Sequence, residues 1–133
     1  MTRHQDWARQ ALQCVQRVRD HADSTFKAEY RTQCMRLPAL LQQSGLVQAL
    51  SFLWSRDEKD EGSAPRRLCH DLASVLKLGS DKGAELLRRA IETDDLMAYL
   101  ALSRDVIEIA IWFRRFAQSE LPAPSTPSDG GQA

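Results

Sequence analysis

The sequence has no stretch approaching the ~20 apolar residues that a membrane-spanning helix needs, and its N-terminus, MTRHQDWARQALQ, lacks the continuous apolar run of a signal peptide. No segment shows the two-residue alternation of a half-buried strand. Cysteine is scarce and unpaired: Cys14, Cys34 and Cys69 are odd in number and widely spaced, with no Cys-x-x-Cys. Each falls on or beside an apolar face, where a free thiol behaves as a small hydrophobe. These absences point to a helical chain in a reduced, cytoplasmic setting with no membrane partner.

Catalytic signatures are missing as well. There is no G-x-x-x-x-G-K-[ST], no G-x-G-x-x-G and no G-x-S-x-G. His4, His21 and His70 are far apart, and none stands four residues from another. Cys69-His70 is the one adjacent soft pair, whereas a zinc site needs at least three protein ligands. A helical cysteine beside a surface histidine explains it without metal. The reading is therefore no enzyme, no metal and no cofactor. Net charge is also absent, with 18 basic against 18 acidic side chains, so global electrostatics announce no polyanionic partner. A local stripe of charge would still suffice to bind one.

What is present is helical periodicity in a chain of 133 residues, enough for one domain. Residues 4–23 form an amphipathic helix with Trp7, Ala11, Cys14, Val15, Val18 and Ala22 on one stripe. A second begins near Thr25 and buries Phe26, Tyr30, Cys34 (or Gln33), Leu37 and Leu41. Pro38 predicts a kink or restart within it, and Ser44-Gly45 a stop. Leu46, Leu50, Leu53 and Trp54 mark a third helix. A charged loop, Ser55 to Pro65, then divides the two halves. Pro65 opens a fourth helix with Leu68, Leu72, Val75 and Leu76, ended by Gly79. Ser80 or Asp81 caps a short fifth. The last helix, roughly Asp94 to Ser119, is apolar almost all round from Val106 to Phe113, which predicts a central place in the core. The expected fold is all-α: a compact bundle of about six helices over residues 1–120, followed by a disordered tail over 121–133 that is rich in proline.

Charge is distributed unevenly. The first 36 residues hold seven basic side chains (Arg3, Arg9, Arg17, Arg19, Lys27, Arg31, Arg36) against four acidic ones. The loop Asp57–Glu61 carries four acids against Lys59. Arg9 and Arg17 share a helix face with Gln13 between them, and Lys27 and Arg31 lie four apart on the next helix. If those helices pack antiparallel, the stripe could track a sugar-phosphate backbone, with Gln13 and Gln16 donating to phosphate or 2′-hydroxyl. A solvated helix face is the alternative. Arg114-Arg115 form a second basic site near the end of the last helix. There the macrodipole accounts for one of them, and Trp112, Phe113 and Phe116 serve either the core or an aromatic-basic patch.

Two stretches carry a resemblance. In YRTQCMRLPALLQQSGLVQALSFLWS, the residues Tyr30, Arg31, Arg36-Leu37-Pro38, Leu40-Leu41, Gly45-Leu46, Gln48-Ala49-Leu50 and Phe52-Leu53 fill the pattern of one family. AIWFRRFAQSE, with Trp112, Arg115, Phe116 and Ala117, is similar to that family's ending, which usually has leucine and lysine where this chain has Phe113 and Arg114. The chain resembles the small subunit of the Cmr complex, the type III-B CRISPR RNA-targeting effector, densely over 26–55 and 96–119 and more loosely elsewhere. The resemblance implies a small helical protein without catalytic activity of its own, stacked in copies beside the guide RNA paired with target RNA. It further implies contact with the scaffold and end subunits. On that implication Arg9, Arg17, Lys27, Arg31, Arg36, Arg114 and Arg115 become candidates for RNA contact, and the acidic loop a docking surface for a neighbour's basic face. The competing reading is a protein adaptor that stacks in the complex and never touches RNA.

Overall fold

The computed structural model describes residues 1–56 and 62–123. Among them all regular structure is helical: α1 (Arg3–Arg19), α2 (Ser24–Ser44), α3 (Leu46–Ser55), α4 (Ala64–Val75), α5 (Gly83–Glu92) and α6 (Leu96–Glu120). The all-α expectation is met. The acidic run Asp57–Glu61 and the tail from 124 onward lie outside the described residues. Leu121, which the sequence places in the tail, is buried against the core.

Local chemistry sets the helix ends. Thr2 and Gln5 form a reciprocal capping box at the start of α1, with Gln5 N–H donating to Thr2 Oγ1 at 3.1 Å and Thr2 N–H to Gln5 Oε1 at 2.9 Å. Asp23 accepts from the Thr25 and Phe26 N–H groups and starts α2. Gly45 ends α2 and begins α3 at φ +85°, a conformation that only glycine adopts without strain. The restart expected at Pro38 does not occur, because α2 runs through it as one helix. The missing Pro38 N–H costs one backbone bond, but Cys34, Leu37 and Leu41 are buried on either side of the gap and hold the helix in place.

Three boundaries differ from the sequence reading. Helix α1 ends at Arg19, short of residue 23, and leaves Ala22 exposed beyond it. Helix α4 stops at Val75, ahead of Gly79, in a Schellman turn: Leu78 N–H reaches back to the Ala73 carbonyl and Lys77 N–H to that of Ser74. Lys77 takes the left-handed position at φ +67°. Helix α5 starts after Lys82 with no side-chain cap, so neither Ser80 nor Asp81 serves.

Four helices close a ring around the core in the order α1, α6, α2, α4. Neighbours in the ring pack along their lengths, while the diagonal pairs, α1 with α2 and α4 with α6, touch little. Arg3–Asp105 at one end and Arg19–Glu120 at the other show that α1 and α6 run parallel. Val47 near Tyr99 and Lys27 near the Arg19 carbonyl show that α2 runs against α6.

Contrary to the expectation for α6, the most enclosed helix is α4, which packs against each of the other five. Arg66 and Asp71 are buried there with Leu68, Cys69, Leu72 and Val75. Arg66 Nε donates to the Trp54 carbonyl at 2.8 Å, and its guanidinium lies 4.3 Å from the centroid of that indole. Helix α6 buries Val106, Ile109, Ala110, Phe113 and Ala117 but leaves its first turns exposed.

Candidate nucleic-acid interface

The ring decides which basic residues can act together. Because α1 and α2 sit on a diagonal, their outer faces point to different sides of the bundle. The single stripe expected from Arg9, Arg17, Lys27 and Arg31 is therefore split in two.

On α1, Arg9 is exposed and already paired with Asp6 at 3.4 Å. Asp6 also takes Lys77 at 3.3 Å, and the Lys77 hydrogen bond leads the influences that hold its carboxyl below the usual range. Arg17 is exposed, two turns along, on the flank facing α4, where its charge favours ionisation of buried Asp71 and Cys14.

On α2, Lys27 is half-buried and donates to the Arg19 carbonyl at 3.5 Å, satisfying the C-terminus of α1. Arg31, one turn further, is half-buried, and its Nε is enclosed with no hydrogen-bond partner among the described residues. Arg36 is exposed, but nine residues at 100° per residue put it half a turn from Lys27, on the other side of the helix.

On α6, Arg114 and Arg115 are both exposed. Arg114 stands nine residues from Asp105, which faces α1, and so lies on the flank turned towards α2. The antiparallel register brings Arg31 level with this turn. Lys27, Arg31 and Arg114 thus border one seam, between α2 and α6. Arg115 turns away and lies 5.8 Å from the Trp112 centroid, and that ring stacks on Phe116 at 5.6 Å. Since α6 continues to Glu120, the arginines stand more than a turn inside it and the macrodipole does not explain them. Phe113 is fully buried, whereas Trp112 and Phe116 are half-buried.

The interior chemistry is structural. Burial pushes the thiols of Cys14 and Cys69 up to about 12 and that of Cys34 well above its usual value. None supplies a thiolate at neutral pH. His70 Nδ1 accepts from Gly83 N–H at 3.0 Å, and the ring meets Trp54 edge-on, so it is half-buried and not on the surface as the sequence suggested. Among the described residues no three His, Cys, Asp or Glu side chains are grouped so as to hold a metal ion.

Two open clefts are lined by groups engaged locally. One, of about 240 Å³, lies where the α1–α2 turn meets the start of α4. There His21 Nδ1 accepts from Asp23 N–H and Ser63 Oγ caps α4. The other, of about 280 Å³, lies at the far end, where Arg3 pairs with Asp105 and Lys77 with Asp6.

Sequence reasoning missed the central polar group. Tyr30 on α2 donates to Asp71 Oδ2 at 2.5 Å, and Arg67 Nε to Asp71 Oδ1 at 3.2 Å. The Arg67–Asp71 spacing is visible on a helix; the Tyr30 partner, 41 residues away, is not.

These features define a small helical bundle. No described helix is long and apolar enough to cross a membrane. The family model described as CRISPR-associated protein (Cas_Cmr5) matches residues 3–120, and the chain belongs to that family. It is 42% identical over 118 residues to the CRISPR system Cmr subunit Cmr5 of Thermus thermophilus, covering 89% of this chain and 95% of that one. The crystal structure of a CRISPR-associated Cmr5 family protein from the same organism superimposes with a TM-score of 0.78 at 37% identity, covering 92% of this chain and 99% of the other.

Proposed function

We propose that the chain is a non-catalytic small subunit of the Cmr effector, the type III-B CRISPR RNA-targeting ribonucleoprotein, acting in the cytoplasm in antiviral defence. In this reading copies of it stack with the scaffold and end subunits beside the guide RNA–target RNA duplex and support target RNA binding. Its family and the name of its 42% identical relative support the assignment to the complex. The protonated, buried thiols support a role without covalent catalysis.

The observation that carries RNA contact is the grouping of three cations, Lys27, Arg31 and Arg114, along one seam between α2 and α6, with Arg114 exposed and the other two half-buried. Phosphate oxygens supply acceptors and the opposite charge to such a group. Sequence is then read by guide–target pairing, and the protein reads only the backbone.

The test is a Lys27→Ala/Arg31→Ala variant in the reconstituted complex, titrated with target RNA across a salt series. The slope of log K against log salt should shrink by about 1 for each cation withdrawn from a phosphate, with affinity falling equally for different targets. Arg36→Ala, on the opposite side of α2, should change both less. Wild-type affinity and slope in the double variant would sink the seam as the RNA-binding surface. A protein adaptor without RNA contact is the second reading, favoured by the apolar outer face of α6 and by the existing ion pairs of Arg9 and Arg19.

A further inference from the structure

Helix α6 carries an apolar face that no other described residue covers. Leu96 is 67% exposed, Met97 71%, Leu100 50% and Ile111 36%, and Ile91 near the end of α5 is 59% exposed. Met97, Leu100, Arg104, Ile107, Ile111 and Arg114, all exposed except Ile107, which is half-buried against the core, are spaced 3, 4, 3, 4 and 3 residues apart, the a/d spacing of a helix-to-helix seam. This stripe is about 26 Å long at 1.5 Å per residue. An uncovered apolar stripe of this kind marks an interaction surface.

The charges along the stripe select the occupant. Its N-terminal end is acidic, with Glu92, Asp94 and Asp95 all exposed, and its C-terminal end is basic, with Arg114 and Arg115 exposed. In the middle Arg104 is followed one turn later by Glu108, which meets His4 Nδ1 at 3.6 Å. Turned end over end, the pattern is its own complement, acid over base at both ends. A parallel copy would set Arg104 on Arg104 and base on base, which repels.

We infer that α6 pairs antiparallel with α6 of a second copy of this chain about a two-fold axis. Met97 then lies against the aliphatic stem of the partner copy's equivalent of Arg114, Leu100 against that of Ile111, and Arg104 against those of Ile107 and Glu108. Asp94 and Asp95 of each copy approach Arg114 and Arg115 of the other. The contact is isologous and closes at two molecules, unlike a head-to-tail stack, which continues. It does not depend on RNA. Since it covers Arg114, pairing and RNA contact at the α2–α6 seam exclude one another.

Analytical ultracentrifugation of the full chain without RNA tests this. The protein should sediment as a dimer at tens of micromolar and dissociate on dilution. Leu100→Glu places a carboxylate in the seam at a half-exposed position, so it should keep the helical circular dichroism and melting temperature while weakening dimerisation of the order of 100-fold. Arg115→Glu should weaken it less, and Asp94→Arg combined with Arg115→Glu should recover most of that loss. A wild-type monomer throughout the range, association unchanged in a folded Leu100→Glu variant, growth beyond two, or no recovery in the charge-swapped pair would each overturn the proposal.

Discussion

Asp71→Ala is expected to lower the folding free energy by about 3 kcal/mol, measured by urea denaturation at pH 7. Asp71 is 5% exposed and holds together α2 and α4, two neighbours in the ring, by accepting from the Tyr30 hydroxyl at 2.5 Å and from Arg67 Nε at 3.2 Å. Truncation leaves a fully buried phenol with no acceptor, which is costly because the donor cannot turn to water. It also removes the counter-charge of Arg67. That side chain is 34% exposed and recovers part of its solvation, which sets the loss near the lower end of the range for broken buried pairs.

Asp71→Asn keeps an oxygen for Tyr30 and should cost less. It also isolates the charge. Burial raises the Asp71 carboxyl above its ordinary value of 3.8, with the Tyr30 hydrogen bond and Arg67 pulling the other way. A raised carboxyl favours the folded state when protonated. Its contribution is therefore complete below 3.8 and is lost as pH rises through the folded value. The stability of wild type relative to Asp71→Asn should then grow as pH falls from 7 towards 4. A difference that shrinks instead would mean that the ion pair with Arg67 outweighs desolvation.

Gly83→Ala should destabilise the fold by about 1–3 kcal/mol, seen as a lower urea midpoint at unchanged slope. Alanine is ordinarily the better helix former, by up to about 1 kcal/mol, and Gly83 opens α5 without a positive φ, so propensity alone predicts a gain. The neighbours reverse the sign. A Cβ there would stand 2.9 Å from Cys69 Cβ, 2.9 Å from Trp54 Cζ3 and 3.0 Å from the His70 backbone nitrogen. None of these is the free end of a flexible chain: two belong to α4 and the third to an indole held against Arg66 and His70. Relief requires α5 to retreat from α4, which also strains the Gly83 N–H to His70 Nδ1 bond. Increased stability in this variant would show that α5 is loosely held.

Where a helix could be read from periodicity, the reading survived: the apolar stripes of α1 and α2 are buried much as written in the sequence. The ranking of helices did not survive. Helix α6 reads as the core helix because it is apolar all round, yet part of that surface faces outward along Met97, Leu100 and Ile111. Helix α4 reads as one apolar stripe with His70 at the surface, and the sequence assigns no buried role to Arg66 or Asp71. The partners of Arg66, His70 and Asp71, the Trp54 carbonyl, Gly83 N–H and Tyr30 hydroxyl, are 12, 13 and 41 residues distant, beyond any local pattern. The same limit governs the basic site. Lys27 and Arg31 are visibly neighbours at four-residue spacing. That α6 and α4 separate α1 from α2 on either side, and so part Arg9 and Arg17 from them, depends on tertiary packing alone.

Ultraviolet crosslinking in the assembled particle, with guide and target strands labelled separately, decides whether this chain touches RNA at all. Crosslinked peptides from the Lys27–Arg31 turn of α2 and the Arg114 turn of α6 are expected, attached to nucleotides irrespective of base sequence and fading as salt rises. Particles that contain the chain in full occupancy yet give no crosslink from it to either strand would contradict RNA contact and leave it a protein adaptor.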